Sequence, residues 1–135
     1  MRQRTTHLSR SYRPLRGNYF PVPNEVFLLG LTPRELSVYS YLLCYADRKT
    51  NQCWPSYQTI GRATHMSKNT VRKYVCALVD HGLIATEETE VITKDGHKRN
   101  GNLKYTILPI QNVVEQFYQR QLDNDDVTVV EKSAG

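Results

Sequence analysis

Apolar side chains between residues 68 and 81 fall at Val71, Tyr74, Val75 and Leu78, three or four positions apart, the spacing of one face of an α-helix. Asn69, Lys73 and Cys76 project to the opposite side at about 100° per residue, with Arg72 on the flank. Ser67 stands where its hydroxyl can accept a first-turn N–H, and Gly82 supplies the left-handed conformation that ends the run. The pattern predicts a helix over Lys68–His81. A shorter helix, Tyr57–Thr64, precedes it behind Ser56, with Ile60 and Ala63 expected to be buried and Gly61 leaving room for close helix approach. His65 and Met66 form the turn between them, with Met66 expected to plug the gap. Residues 55–84 thus read as a helix-turn-helix, and the rest of the chain is arranged around it.

Upstream, Thr32-Pro33-Arg34-Glu35 spells a capping box with proline at the first helical position. Leu36, Tyr39, Leu42, Leu43 and Ala46 then mark the buried face of a helix over residues 32–47. Tyr41 and Tyr45 lie off that face, as surface residues or as contacts to a partner. Before it, residues 19–29 are apolar and broken by Pro21 and Pro23. They predict an extended lead-in and one helical turn from Asn24, with the aromatic residues covering the core. Cys53 and Trp54 predict a very short strand. Downstream, residues 83–93 and 102–108 carry strand patterns, the second with Leu103, Tyr105 and Ile107 in alternation. The basic, turn-rich KDGHKRNG between them makes a β-hairpin tip. After Pro109, Ile110, Val113, Val114, Phe117 and Tyr118 return to helical spacing. That stripe either packs back on the domain or pairs with a second copy.

This predicts an α+β, mainly α, fold: a three-helix core, a two-stranded hairpin and an additional C-terminal helix. Its expected parts are a disordered basic arm at 1–17, the folded domain at 18–110, the C-terminal helix at 111–123 and an acidic disordered tail at 124–135. A length of 135 residues suits one such domain.

Charge sharpens the picture more than composition does. Residues 1–17 hold five arginines (Arg2, Arg4, Arg10, Arg13, Arg16) and no acid, residues 18–110 are mildly basic, and the remainder is acidic, within a net charge of +5. A polyanion approached from the arm and core side is the implied partner. The arm is either a solvated leader or a minor-groove contact. No apolar run approaches the roughly 18 residues of a membrane helix, and the basic N-terminus lacks a signal's apolar segment. Cys44, Cys53 and Cys76 form no CxxC pair, and reduced thiols in a cytoplasmic protein are the expectation.

A helix buried on one side and carrying amide and cationic donors on the other suits the DNA major groove. Asn69 and Arg72 can make bidentate pairs with adenine and guanine edges, while Lys68, Thr70 and Lys73 suit phosphates. Ser56, Tyr57 and Gln58 at the start of the preceding helix either bond a phosphate or simply cap and polarise the surface. Lys94, His97, Lys98 and Arg99 place four cationic or titratable groups in six residues at the hairpin tip. Catalysis finds no constellation. His7, His65, His81 and His97 are isolated, no metal spacing joins them to the cysteines, and Gly96 and Gly101 make no phosphate loop. No enzyme activity, cofactor or metal is expected, and no small-molecule effector is legible.

Helix, short strand, two helices and a two-stranded hairpin is the order of a winged-helix domain. Residues 19–84, through FPVPNEVF, LTPRELSVYSYLL and CWPSYQTIGRATHMSKNTVRKYVCALVDHGLI, with the hairpin ending LKYTIL, resemble the N-terminal winged helix-turn-helix domains of replication initiators and small regulators of bacterial plasmids, phages and conjugative elements. The resemblance spans about two thirds of the chain. It implies sequence-specific binding of double-stranded DNA, in transcriptional or replication control of a mobile element; the C-terminal stripe and the general pairing of half-sites point to a homodimer through the C-terminal helix, with a monomer as the alternative. By position the resemblance gives Ser67 the cap, Lys68, Asn69, Arg72 and Lys73 the DNA-facing places, and Lys94, His97, Lys98 and Arg99 the wing. Two departures stand out: His65 replaces a frequent turn glycine, and the chain stops one helix after the wing. The alternative is a winged helix used for protein–protein contact in a plasmid replication or conjugative transfer complex.

Overall fold

The computed structural model describes residues 19–124. The expected basic arm at 1–17 and nearly all of the expected acidic tail lie outside them. A short 3-10 turn, Asn24–Leu28, leads into helix α1, Pro33–Tyr45. Both halves of the α1 capping box are formed: the Glu35 N–H donates to Thr32 Oγ1 at 3.2 Å, and the Thr32 N–H donates to Glu35 Oε1 at 2.9 Å. Strand β1, Gln52–Cys53, follows, then helices α2, Tyr57–Thr64, and α3, Lys68–His81. Each of these helices opens on its predicted serine, Ser56 accepting from the Thr59 N–H at 3.0 Å and Ser67 from the Thr70 N–H at 3.2 Å. Strands β2, Ile84–Glu87, β3, Glu90–Ile92, β4, Lys98–Asn100, and β5, Lys104–Ile107, precede helix α4, Ile110–Asn124.

The three helices α1, α2 and α3 pack on a small antiparallel sheet in the order β1-β5-β2. Val38, Tyr39 and Leu42 of α1, Ile60 of α2, and Val71, Val75 and Leu78 of α3 meet Cys53, Leu83, Ile84 and Tyr105 in one buried core. Ile110, Val113, Val114 and Phe117 of α4 lie against this core, so the C-terminal stripe packs back over most of its length. Tyr118 and Leu122 on the same helix stay about half exposed.

Several expectations are corrected at the level of single faces. The buried stripe of α1 runs through Glu35, Val38, Tyr39 and Leu42, while Leu36, Leu43 and Ala46 only flank it. Tyr41 is packed against the core rather than displayed, and only Tyr45, whose ring sits 4.6 Å from that of Tyr41, is exposed. Ala63 is exposed, because the eight-residue α2 buries only Ile60 and Gly61. The lead-in aromatics Tyr19 and Phe27 do not cover the core: they are 80% and 78% exposed. Trp54 lies just past β1 and is half exposed.

The hairpin also differs from two uninterrupted strands with a tip over KDGHKRNG. β2 pairs with β5 from Ile84↔Ile107 to Glu87↔Lys104, and β3 pairs with β4 from Glu90↔Asn100 to Ile92↔Lys98 as a separate two-stranded sheet. Two residues, 88–89, separate the inner and outer ladders on one side, and three, 101–103, on the other. The extra residue is the signature of a β-bulge, a device that locally disrupts the ladder and bends the bulged strand. The actual turn is Thr93 to His97, closed by the Thr93 N–H donating to the His97 carbonyl at 2.8 Å, with Gly96 at φ +84°. Lys98 and Arg99 therefore lie on a strand, and of the predicted wing residues only Lys94 and His97 are at the tip.

Candidate nucleic-acid interface

The turn between α2 and α3 sets the geometry of the site. His65 adopts the left-handed conformation, φ +61° and ψ +45°, and its N–H caps the Gly61 carbonyl. That same carbonyl accepts the Met66 N–H at 2.9 Å. Gly61 has no room for a side chain, since a Cβ there would overlap the Met66 carbonyl oxygen. Met66 is half-buried and packed on the core, as expected of a plug.

Along α3, Val71, Val75 and Leu78 are buried while Lys68, Asn69, Arg72, Lys73 and Cys76 are exposed. The sequence-predicted donors therefore share one solvent-facing stripe at the start of the helix. Lys73 Nζ lies 5.4 Å from the centre of the Tyr74 ring, which holds the ammonium close to the helix surface. Thr70 is half-buried, and its hydroxyl accepts from Ser67 Oγ at 2.9 Å. Ser67 and Thr70 are thus occupied with each other. Ser56 Oγ likewise sits 2.9 Å from Thr59 Oγ1. Tyr57 is half-buried against the core. Its phenol is pushed up first by burial and then by the nearby Cys76 thiol, with the Arg72 guanidinium opposing. The Tyr57 ring therefore lies near Cys76 and Arg72 of α3. Gln58 is exposed.

Gln58, Gly61, Arg62, His65, Met66, Ser67 and Lys68 line an open groove of about 530 Å³ along the motif. Arg62 and His65 were not among the sequence-predicted residues. The signal for Arg62 was present: it lies four positions after Gln58, one turn along the same face of α2. For His65 there was none beyond its place in the turn.

On the hairpin, Lys94, His97, Lys98 and Arg99 are all exposed. His97 Nδ1 is 3.3 Å from Asp95 Oδ2, and Asp95 also accepts from the Thr93 hydroxyl at 2.9 Å. The Thr93 hydrogen bond is the main cause holding the Asp95 carboxyl below its ordinary range. The tip therefore keeps an ionised acid, and the cationic character of the hairpin rests on Lys94, Lys98 and Arg99. His81, in the last turn of α3, has Nε2 3.6 Å from Glu35 Oε1, so it faces α1 rather than the groove. Among the described residues no cluster of three or more histidine, cysteine or acidic side chains could hold a metal ion, and no helix is long and apolar enough to cross a membrane. The three thiols are free, and burial pushes that of Cys53 up to about 11.

The family model described as "Helix-turn-helix domain" matches residues 29–84, from the end of the lead-in to the first residue of β2. No curated protein sequence matches the chain. Among solved structures, a possible transcriptional regulator from Methanosarcina mazei Go1 superposes with a TM-score of 0.53 at 20% identity, over 76% of this chain and 80% of that one. A MarR-like transcriptional regulator from Thermotoga maritima (TM-score 0.43, 15% identity, 98% and 86% covered) and a MarR family transcriptional regulator from Silicibacter pomeroyi (TM-score 0.41, 15% identity, 98% and 68% covered) are looser matches. The helix-turn-helix of α2 and α3, followed by the β3–β4 hairpin, gives the chain a winged helix-turn-helix fold of α+β, mainly α, class.

Proposed function

We propose that this protein binds specific sequences in double-stranded DNA, with α3 in the major groove and the hairpin on the flanking backbone. The observation that carries the reading is the α3 stripe: Lys68, Asn69, Arg72 and Lys73 exposed together at the helix start, while Val71, Val75 and Leu78 fix the opposite face in the core. In this reading Asn69 and Arg72 meet base edges. Lys68, Lys73, Gln58 and the hairpin's Lys94, Lys98 and Arg99 meet phosphates, and Arg62 extends the same groove. Ser56, Ser67 and Thr70 serve mainly as caps, and His97 is held by Asp95. The DNA-binding unit is the fold from residue 19 through β5, with helix α4, Ile110–Asn124, laid over it.

The process served is transcriptional or replication control of a mobile element, a reading supported by the resemblance of residues 19–84 and not by the geometry. Gel shift on DNA flanking the protein's own gene, at two salt concentrations, tests the binding. With about five phosphate contacts, log K should fall against log salt with a slope of roughly −4 to −5. Failure to bind any native sequence at low salt overturns the reading. Deleting the gene and reading promoter output against element copy number then separates transcription from replication control.

A further inference from the structure

We infer that Asn102 is a positioning residue for DNA binding, a clamp that sets the angle of the outer hairpin against the helix-turn-helix. This rests on the DNA reading above.

The hairpin is interrupted where the ladder slips by one residue, and Asn102 is the middle of the three residues on the longer side of that bulge. The bulge itself is closed locally: the Gly101 N–H donates to the Thr89 carbonyl at 2.7 Å, and the Thr89 hydroxyl donates to the Asn102 carbonyl. Asn102 then reaches out of the hairpin altogether, its Nδ2 donating to the Trp54 carbonyl at 3.1 Å. Trp54 stands between β1 and Ser56, the cap of α2. One amide thus links the root of the outer hairpin to the segment that starts the helix-turn-helix.

A single hydrogen bond can matter here because of leverage. From the bulge the outer hairpin runs three residues along each strand, Glu90–Ile92 and Lys98–Asn100, and then through the turn, a reach of roughly 15 Å at about 3.3 Å per residue. A 10° swing at the root moves the tip by roughly 2.5 Å, close to the ~3 Å length of a hydrogen bond and enough to break one. Lys94, Lys98 and Arg99 all lie beyond the bulge. Releasing Asn102 should therefore uncouple the phosphate contacts of the hairpin from those of α3 while leaving the base-reading stripe untouched.

The test compares wild type, Asn102→Ala and a Lys98→Ala/Arg99→Ala pair with and without Asn102→Ala. Each is titrated with a DNA the wild type binds, across a salt series. Asn102→Ala should lower affinity about five- to tenfold, make the salt slope shallower by one to two, and leave the preference among sequences unchanged. In the Lys98→Ala/Arg99→Ala background the same change should cost less than twofold. Trp54 is the protein's one tryptophan, so its fluorescence reports the clamp directly. Acrylamide quenching of free Asn102→Ala should rise while its melting temperature stays near that of wild type. An unchanged salt slope overturns the inference, as does an equal loss in both backgrounds, which would mean that Asn102 acts independently of the hairpin cations. Wild type that binds no DNA overturns the functional reading itself, a different result from wild type that binds and Asn102→Ala that binds alike.

Discussion

Gly61 is the residue on which the helix-turn-helix geometry most depends. Its carbonyl receives the N–H groups of both His65 and Met66, so the turn folds back directly over it. An added methyl would press on the Met66 carbonyl, a backbone group that can retreat only by moving the start of α3. Gly61→Ala should therefore behave as an overpacked core substitution, costing about 1–3 kcal/mol. For a domain of this size the melting temperature should fall by at least about 4 °C. A melting temperature within a degree of wild type would show that the turn accommodates a side chain. His65 presents the opposite case. Left-handed backbone costs a side-chain-bearing residue roughly 1–2 kcal/mol, while glycine gives back about 0.4–1 kcal/mol through the freer unfolded chain. His65→Gly should leave stability equal or slightly raised in the same melting experiment. A loss of more than about 1 kcal/mol would mean that the imidazole contributes packing that its exposed position does not suggest.

At the scale of elements, the two parts of the interface should respond differently to mutation. Asn69→Ala or Arg72→Ala removes a bidentate partner and should reduce discrimination at one base position by roughly 1–3 kcal/mol. Lys98→Ala should weaken binding to all sequences alike and lower the salt slope by about one. Competition titrations with single-base variants of the bound site distinguish the outcomes, and a uniform loss for Asn69 and Arg72 would reassign them to the backbone. The same contrast explains what was legible in the sequence. The α1 and α3 starts follow from Thr32, Glu35 and Ser67, whose partners lie three residues away, and the stripe on α3 follows from a period contained in fourteen residues. The hairpin was legible only in outline. Its one-residue slip is a relation between residues 88–89 and 101–103, which no local pattern fixes, so Lys98 and Arg99 were assigned to a turn that ends at His97. Ala63 was misplaced for a related reason: over eight residues of α2, burial depends on which neighbours reach it, not on spacing. Glu35 shows the reverse, a carboxylate buried because its capping bonds with Thr32 hold it there.

Across the whole molecule, the surface left by α4 bears on assembly. Four of its apolar residues are packed, yet Tyr118 and Leu122 remain about half exposed, and the 3-10 turn that α4 contacts displays Phe27 at 78% exposure. A second copy pairing through α4 would cover them. Light scattering coupled to size exclusion should then show a dimer for wild type, and a monomer with an unchanged melting profile at low concentration for Tyr118→Ser/Leu122→Ser. A wild-type monomer at tens of micromolar would remove the dimer from the reading.

The core also makes an alkaline limit on stability. It brings together groups that are neutral when buried: Tyr39 of α1, Cys53 of β1 and Tyr105 of β5, with Tyr41 at its margin. Burial is the first cause in each, raising Cys53 to about 11 and Tyr41 to about 12, and raising Tyr39 and Tyr105 as well. Unfolding returns each to its ordinary value, 9.0 for the thiol and 10.0 for the phenols. Between its two values such a group is protonated in the folded chain and ionised in the unfolded one, so the folded chain binds more protons and stability falls as pH rises. The contribution is whole below pH 9, declines first through Cys53, and declines further above pH 10 as the tyrosines join. The limit is about 1.4 kcal/mol per pH unit for each fully shifted group, with less from the partly exposed Tyr41. Urea unfolding at intervals from pH 7 to 11 should show a plateau followed by a decline that steepens after pH 10. Cys53→Val, which fills much the same space without a proton to lose, should flatten the decline between pH 9 and 10 to the smaller part that the half-buried Cys44, also raised by burial, contributes. Stability that stays flat to pH 11 would mean that these phenols and the thiol are far better solvated than their places in the core imply.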